Sequence, residues 1–251
     1  MQDGQPSRTA FGAARHRALH QTLDGASIFR DPLAARILGD PPPTDPLDDR
    51  RGLRLFIAAR HRIAEEVVAA AYARGARQVV VLGAGLDTFA YRNAHGDLVV
   101  YEVDFPATQA WKRDRLREAG IDAAGVRYVG VDFEHDDLRA RLIEVGFDPD
   151  RASAVMWLGV VPYLTPDAVA ATLRTLGGFA RTVVVFDYPL PDDGEARAQL
   201  TRRVAAAGEP ILSTFTPASI GELLTDAGFV RNDDREVGEA SRAHVMVART
   251  S

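Results

Sequence analysis

The residues with chemical potential fall at the ends of apolar runs. The first such run closes on two glycines, in Val79-Val-Val-Leu-Gly-Ala-Gly-Leu-Asp-Thr88. Four apolar residues followed by Gly-x-Gly read as a buried parallel strand that stops at a tight turn. Gly83 and Gly85 permit torsions that a Cβ forbids, and they let a ligand approach the main chain around Ala84. Dinucleotides, adenosyl compounds and plain structural turns all use this device.

The second run, "YEVDFP", carries Glu102 and Asp104 on one side of a strand. Asp104 lies about 20 residues beyond the glycine turn, where an acid accepts hydrogen bonds from ribose hydroxyls. A helix cap before Pro106 is the structural alternative. The third run ends "GVDFEHDD". There Asp132 can accept from an exocyclic amine, and Phe133 can wall an adenine. The fourth ends "WLGVVPYLTPD", where Gly159 again permits close approach, Tyr163 could face a reacting group, and Trp157 and Leu158 read as core.

Arg60 interrupts the apolar stripe of a helix expected over 52–74, between Ile57 and Ile63. A guanidinium there must pair or bind an anion. The histidines are scattered, and His16 and His20, one helical turn apart, lack the acid that would complete a zinc motif. With no Gly-x-Ser-x-Gly elbow and no Walker loop, acyl-enzyme hydrolysis and phosphoryl transfer are not expected.

The elements that must hold these residues alternate. Strands are expected at 78–83, 97–104, 126–133, 152–160 and 182–189, with helices near 106–119, 135–145 and 166–176. Thr216-Pro217 opens a last helix, and two tail strands with no helix between them should pair antiparallel. This predicts an α/β fold, a doubly wound, mostly parallel seven-stranded sheet with its ligand at the strands' C-terminal ends. Two short helices precede a proline-rich linker at 40–49, so residues 1–49 read as a small helical N-terminal cap and 50–251 as the main domain. The 251 residues are 46% hydrophobic, enough for a large core. Net charge is −5, which gives no basic footprint for nucleic acid. The chain has no cysteine for disulfides or thiolate chemistry, and no run approaches the roughly 18 apolar residues of a membrane span. A cytoplasmic protein is expected.

"QVVVLGAGLDTFAYR", "YEVDFPATQAWKRDRL", "WLGVVPYLTPDAV" and "ASIFRDPLAARILG" together resemble the leucine carboxyl methyltransferase-like family, over about residues 9–180. These are class I S-adenosylmethionine-dependent O-methyltransferases, some attached to polyketide and other secondary metabolism. The resemblance implies S-adenosyl-L-methionine as cofactor and S-adenosyl-L-homocysteine as product. It implies Arg60 for the methionyl carboxylate, Gly83, Ala84 and Gly85 beneath the methionyl part, Asp104 for the ribose, and Asp132 with Phe133 for adenine. Leu158 and Gly159 fall at the cofactor strand end, and Arg17 lies near a basic cap residue that approaches the cofactor. Members that methylate a protein's terminal leucine carry Glu where this chain has Leu158. That departure favours a small-molecule acceptor, a carboxylate or hydroxyl of natural-product type. A carboxylate acceptor is already ionised at neutral pH and needs no base. A phenol would use one, with His16, His20 or Tyr163 as candidates. The rival readings are an NAD-dependent oxidoreductase and a non-methylating adenosyl binder or cyclase on the same fold.

Overall fold

The computed structural model describes residues 7–39, 51–191, 210–237 and 243–251. The expected proline-rich linker lies outside these residues. In chain order the elements are α1 (Arg8–Leu23), α2 (Ala34–Leu38), α3 (Arg51–Ala73), β1 (Gln78–Leu82), β2 (Val99–Asp104), α4 (Pro106–Glu118), β3 (Val126–Gly130), α5 (Leu138–Glu144), β4 (Ser153–Trp157), α6 (Pro166–Gly177), β5 (Thr182–Pro189), α7 (Pro217–Asp226), β6 (Arg231–Glu236) and β7 (Ala243–Arg249). Short 3-10 turns occupy Phe89–Tyr91 and Val161–Tyr163.

The strands form one seven-stranded sheet in the order β3-β2-β1-β4-β5-β7-β6. β1 to β5 pair in parallel, and β7 pairs antiparallel with both β5 and β6. The strand order reverses between β1 and β4, which creates a topological switch point beside the glycine turn.

Strand alternation divides the core into two layers. Val80, Leu82, Val155 and Phe186 face α6 and α7, with Leu173 and Leu224 in that layer. Val79, Val81, Met156 and Val185 face α3, against Phe56, Ile57 and Val68. All five residues of β1 and of β4 are buried, as a strand covered on both faces requires. The helix starts follow their capping chemistry. Thr165 accepts from the Ala168 amide ahead of Pro166, and Thr216 forms a capping box with Ser219.

Several elements are shorter than expected, for local reasons. β3 stops at Gly130 because Asp132 turns the chain: its carboxylate accepts from the Glu134 amide, and its own amide donates to Asp136. β4 stops at Trp157 ahead of Gly159, whose φ is +72°. α5 begins only at Leu138, because Asp137 caps it. The first two helices pack on the main sheet domain. Ala14 and Ile37 share a buried cluster with Leu86 and Leu116, and Arg54 of α3 grips Asp24 at the end of α1 at 2.7 Å.

Candidate functional site

A cavity of about 640 Å³ opens at the C-terminal ends of β1, β2, β3 and β4, beneath α1. That volume suits a small molecule. The lining includes Arg60, Gly83, Ala84, Gly85, Asp104, Asp132, Phe133, Leu158, Gly159 and Tyr163, so the residues expected at the cofactor face one space together with Tyr163. Arg17 reaches it from α1.

The glycine turn forms the cavity's inner wall. Gly83 has φ +63° and Gly85 +41°. A Cβ on Gly83 would fall 2.2 Å from Val160 Cγ2, and one on Gly85 would fall 2.8 Å from Ala10 Cβ of α1. Three of the turn's polar groups are committed to the protein. The Ala84 amide donates to the Val103 carbonyl at 3.0 Å, and the Asp87 amide donates to the Ala84 carbonyl at 2.7 Å. The Gly85 amide donates to Asp104 Oδ2 at 2.5 Å. A pyrophosphate needs free amides at a helix N-terminus. This turn offers a carboxylate beside it and only a 3-10 turn after it. That argues against a dinucleotide here.

Asp104 is buried, and its second oxygen accepts from the Phe105 amide at 2.7 Å. Glu102 is in different surroundings despite sharing the strand face. It is 1% exposed and does not line the cavity. Lys112 Nζ of α4 donates to its Oε1 at 2.8 Å, and the Tyr91 hydroxyl donates to its Oε2 at 2.8 Å. Burial pushes the Glu102 carboxyl up, and Lys112 opposes this. Glu102 therefore stands apart from any ligand in the cavity, unlike Asp104.

Asp132 and Phe133 stand at the outer end. Asp132 Oδ2 lies 3.0 Å from His135 Nδ1, and Phe133 packs its half-buried ring on the core. Glu134 beside them accepts from both the amide and the hydroxyl of Thr165, at 3.0 and 2.8 Å. This ties the β3 loop to the start of α6.

Arg60 enters from α3. Its Nη1 donates to Asp187 Oδ2 at 2.8 Å, and the other Asp187 oxygen accepts from the Gly159 amide at 2.7 Å. Arg60 Nε is buried with no hydrogen-bond partner. The structural expectation for Arg60, a paired carboxylate, thus holds together with its place in the cavity wall. Asp187 escaped the sequence reading. Its signal was present: an acid closing the apolar run "TVVVFD", as Asp104 closes another.

The basic side chains near α1 are also anchored. Arg17 Nε donates to Asp31 at 3.1 Å and Nη2 to the Leu86 carbonyl at 2.5 Å. His61, unremarked in the sequence, lines the cavity with Nδ1 2.6 Å from the Ile57 carbonyl and Nε2 3.3 Å from Asp87 Oδ2. Burial pushes the His61 imidazole down, against the pull of Asp87. Burial would push the Asp87 carboxyl up, but His61 and the charges of Arg17 and Lys112 hold it well below the usual range. His20 is structural. Nδ1 meets Asp24 at 3.0 Å, and Nε2 accepts from the Ile28 and Phe29 amides, each at 3.3 Å. Neither His16 nor His20 lines the cavity, so position removes both as bases there. Among the described residues no cluster of three histidine or acidic side chains could hold a metal.

Comparison with known proteins bears directly on this arrangement. The leucine carboxyl methyltransferase family pattern matches residues 10–177, which takes in α1, the glycine turn, β2, β3 and β4 through α6. The chain belongs to the leucine carboxyl methyltransferase family. YktD of Bacillus subtilis, provisionally named an S-adenosyl-L-methionine-dependent methyltransferase, is 31% identical over 81% of this chain and 70% of its own length. A Mycobacterium ulcerans protein with the same provisional name is 36% identical over 64% of this chain, which spans 57% of that relative. Among solved structures, a Thermobifida fusca protein described as a methyltransferase overlays with TM-score 0.61 at 17% identity, covering 100% of this chain and 97% of that one. Magnesium protoporphyrin IX methyltransferase of Synechocystis, solved with S-adenosylhomocysteine, overlays with TM-score 0.56 at 15% identity, covering 94% and 98%. The fold is that of class I methyltransferases, with N-terminal helices added, and the family's cofactor is S-adenosyl-L-methionine.

The cavity fits that cofactor on its own terms. It presents a buried guanidinium with an unpartnered Nε, a main-chain wall at Gly83 and Gly85 with no room for a Cβ, and the buried Asp104 carboxylate at the end of β2.

Proposed function

We propose that this family member is an O-methyltransferase that esterifies a carboxylate of a small molecule. The observation that carries the cofactor site is the Asp104–Gly85 contact. It makes the cavity floor anionic, which suits ribose hydroxyls and a cationic sulfonium and repels a pyrophosphate. S-adenosylmethionine, when bound, supplies a methyl group on sulfonium sulfur, open to in-line displacement.

Each residue then has a defined task. Arg60, oriented by Asp187, holds the methionyl carboxylate through its remaining donors. Gly83, Ala84 and Gly85 let the methionyl chain lie against the backbone. Asp104 accepts from the ribose hydroxyls, Asp132 accepts from the adenine amine, and Phe133 walls the ring. Leu158 and Gly159 close the inner side, and Tyr163 orients the acceptor. The described part of the N-terminal cap, residues 7–39, covers the cavity, since α1 contributes Ala10, Ala13 and Arg17 to the lining.

The acceptor class follows from proton accounting. Among the described lining residues, His61 has both ring nitrogens against protein oxygens, and the Asp132 carboxylate is engaged by an amide and by His135. His135, the other lining imidazole among the described residues, has Nδ1 on Asp132 and stands exposed to solvent, so neither is a buried base with a free nitrogen. An acceptor ionised at pH 7 needs none, and catalysis then rests on orientation and exclusion of water. Leu158 in place of a Glu, and a cavity of about 640 Å³, suit a small apolar acid better than a protein tail.

Two measurements test this. Calorimetry should show binding of S-adenosylhomocysteine and negligible binding of NAD; the reverse pattern would discard the cofactor site. Transfer of labelled methyl from S-adenosylmethionine to a panel of carboxylic acids and phenols should give label that mild alkali releases as methanol. Label that resists alkali would assign an ether, and hence a hydroxyl acceptor.

A further inference from the structure

Beneath the glycine turn, on the side away from the cavity, lies a buried charge that the site as described does not use. Lys112 of α4 is 1% exposed. Its Nζ sits 2.8 Å from Glu102 Oε1 and 3.4 Å from the Ala84 carbonyl oxygen. The ammonium also lies 5.3 Å from the centre of the Tyr91 ring. The Tyr91 hydroxyl donates to Glu102 and lies 3.1 Å from the Tyr128 hydroxyl. Burial and the Glu102 charge push the Tyr91 phenol up, so it stays a donor.

A buried ion pair is a weak way to stabilise a fold, because desolvation offsets most of its attraction, and neutral groups of similar size often serve as well. The position of this one suggests a different use. Ala84 sits between two glycines with positive φ, +63° and +41°, so the torsions on both sides of it are those of residues without a Cβ. Its peptide groups are gripped at both ends. The amide donates to Val103, and the carbonyl accepts from the Asp87 amide and faces Lys112. The pair therefore joins α4, β2 and the centre of the turn.

We propose that Lys112 is a positioning residue for the cofactor: held by Glu102, its ammonium fixes the Ala84 carbonyl and so the orientation of the Gly83–Gly85 wall and of Asp104 against it. This rests on the reading of the cavity as an S-adenosylmethionine site. It goes beyond that reading because Lys112 and Glu102 do not line the cavity.

The test removes both charges together, so that no lone ion is left buried. Lys112→Met/Glu102→Gln keeps the volume and leaves an acceptor for Tyr91; Lys112→Gln/Glu102→Gln is the second form. Melting temperature without ligand and the dissociation constant for S-adenosylhomocysteine are read on the full chain. The expected result is melting within a few degrees of wild type with affinity lower by tenfold or more. A merely structural pair would lower the melting temperature and leave the affinity of the folded protein unchanged. Affinity within twofold of wild type in either folded variant overturns the proposal. Failure of both variants to fold overturns it too, since the pair would then serve the fold itself. Wild type is the separate arm: if it does not bind S-adenosylhomocysteine, the cofactor reading fails, not the role of Lys112 within it.

Discussion

Asp104 at the end of β2 accepts the amide hydrogen of Gly85, at 2.5 Å, and so clasps the turn that follows β1. One carboxylate thereby serves the backbone and the cavity at once. Asp104→Ala should cost about 1–3 kcal/mol in S-adenosylhomocysteine affinity, and it should also lower the melting temperature of the ligand-free protein, because a buried amide loses its acceptor. From the sequence alone Asp104 reads as a ribose acceptor or as a helix cap before Pro106, and neither reading includes the Gly85 amide. Calorimetry and a thermal melt on the same variant separate the two effects. Unchanged melting would show that the Gly85 amide finds another acceptor.

Much of this was legible from residue order. The parallel sheet, the antiparallel tail and the cavity-facing positions follow from apolar runs that end in glycine or acid. What was not legible depends on partners distant in sequence. Glu102 and Asp104 share a strand face, yet α4 brings Lys112 to one and the glycine turn reaches the other. Asp187 closes an apolar run as Asp104 does, but its partners are not legible until β5 is set beside β4, which lets it take the Gly159 amide and Arg60 together. His20 carried the spacing of a ligand, but its two ring nitrogens staple α1 to the chain that follows it.

Gly83 is constrained twice. Its φ of +63° is costly for a residue with a Cβ, by about 1–2 kcal/mol, and that Cβ would strike Val160 Cγ2 at 2.2 Å. Gly83→Ala should therefore destabilise by more than the torsional cost alone. Val160→Ala in the same chain should recover the steric part and leave the torsional part. Denaturant melts of the two single variants and the double variant measure the coupling. Purely additive losses would mean that Val160 moves aside without cost.

The tie between α1 and α3 carries a pH signature. Hydrogen bonds from Arg54 lower the Asp24 carboxyl below its ordinary value, with a further contribution from His20. A carboxyl depressed in the folded state contributes stability that is complete above the unfolded value of about 3.9 and is lost as pH falls through the folded value. Stability measured from pH 6 down to pH 2 should fall less steeply at the acid end in Asp24→Asn than in wild type. Parallel curves would show that Asp24 titrates alike in both states.

Arg60 gives the sharpest test of the cofactor's orientation. Arg60 is 7% exposed, and its guanidinium donates to Asp187 and keeps Nε without a partner. Removing it alone would strand the Asp187 charge, so the informative variant is Arg60→Met/Asp187→Asn, which retains an acceptor for the Gly159 amide. If Arg60 holds the methionyl carboxylate, a partly desolvated ion pair is lost, at about 2–5 kcal/mol; an exposed pair would cost only about 0–1 kcal/mol. S-adenosylhomocysteine should then weaken strongly. Methylthioadenosine has the same nucleoside but no carboxylate, so its affinity should hardly change. General damage to the cavity would weaken both ligands alike, and the ratio of the two losses cancels that damage. Equal losses would leave Arg60 as the partner of Asp187 and nothing more, and the carboxylate contact would pass to Arg17, the second guanidinium of the cavity wall among the described residues.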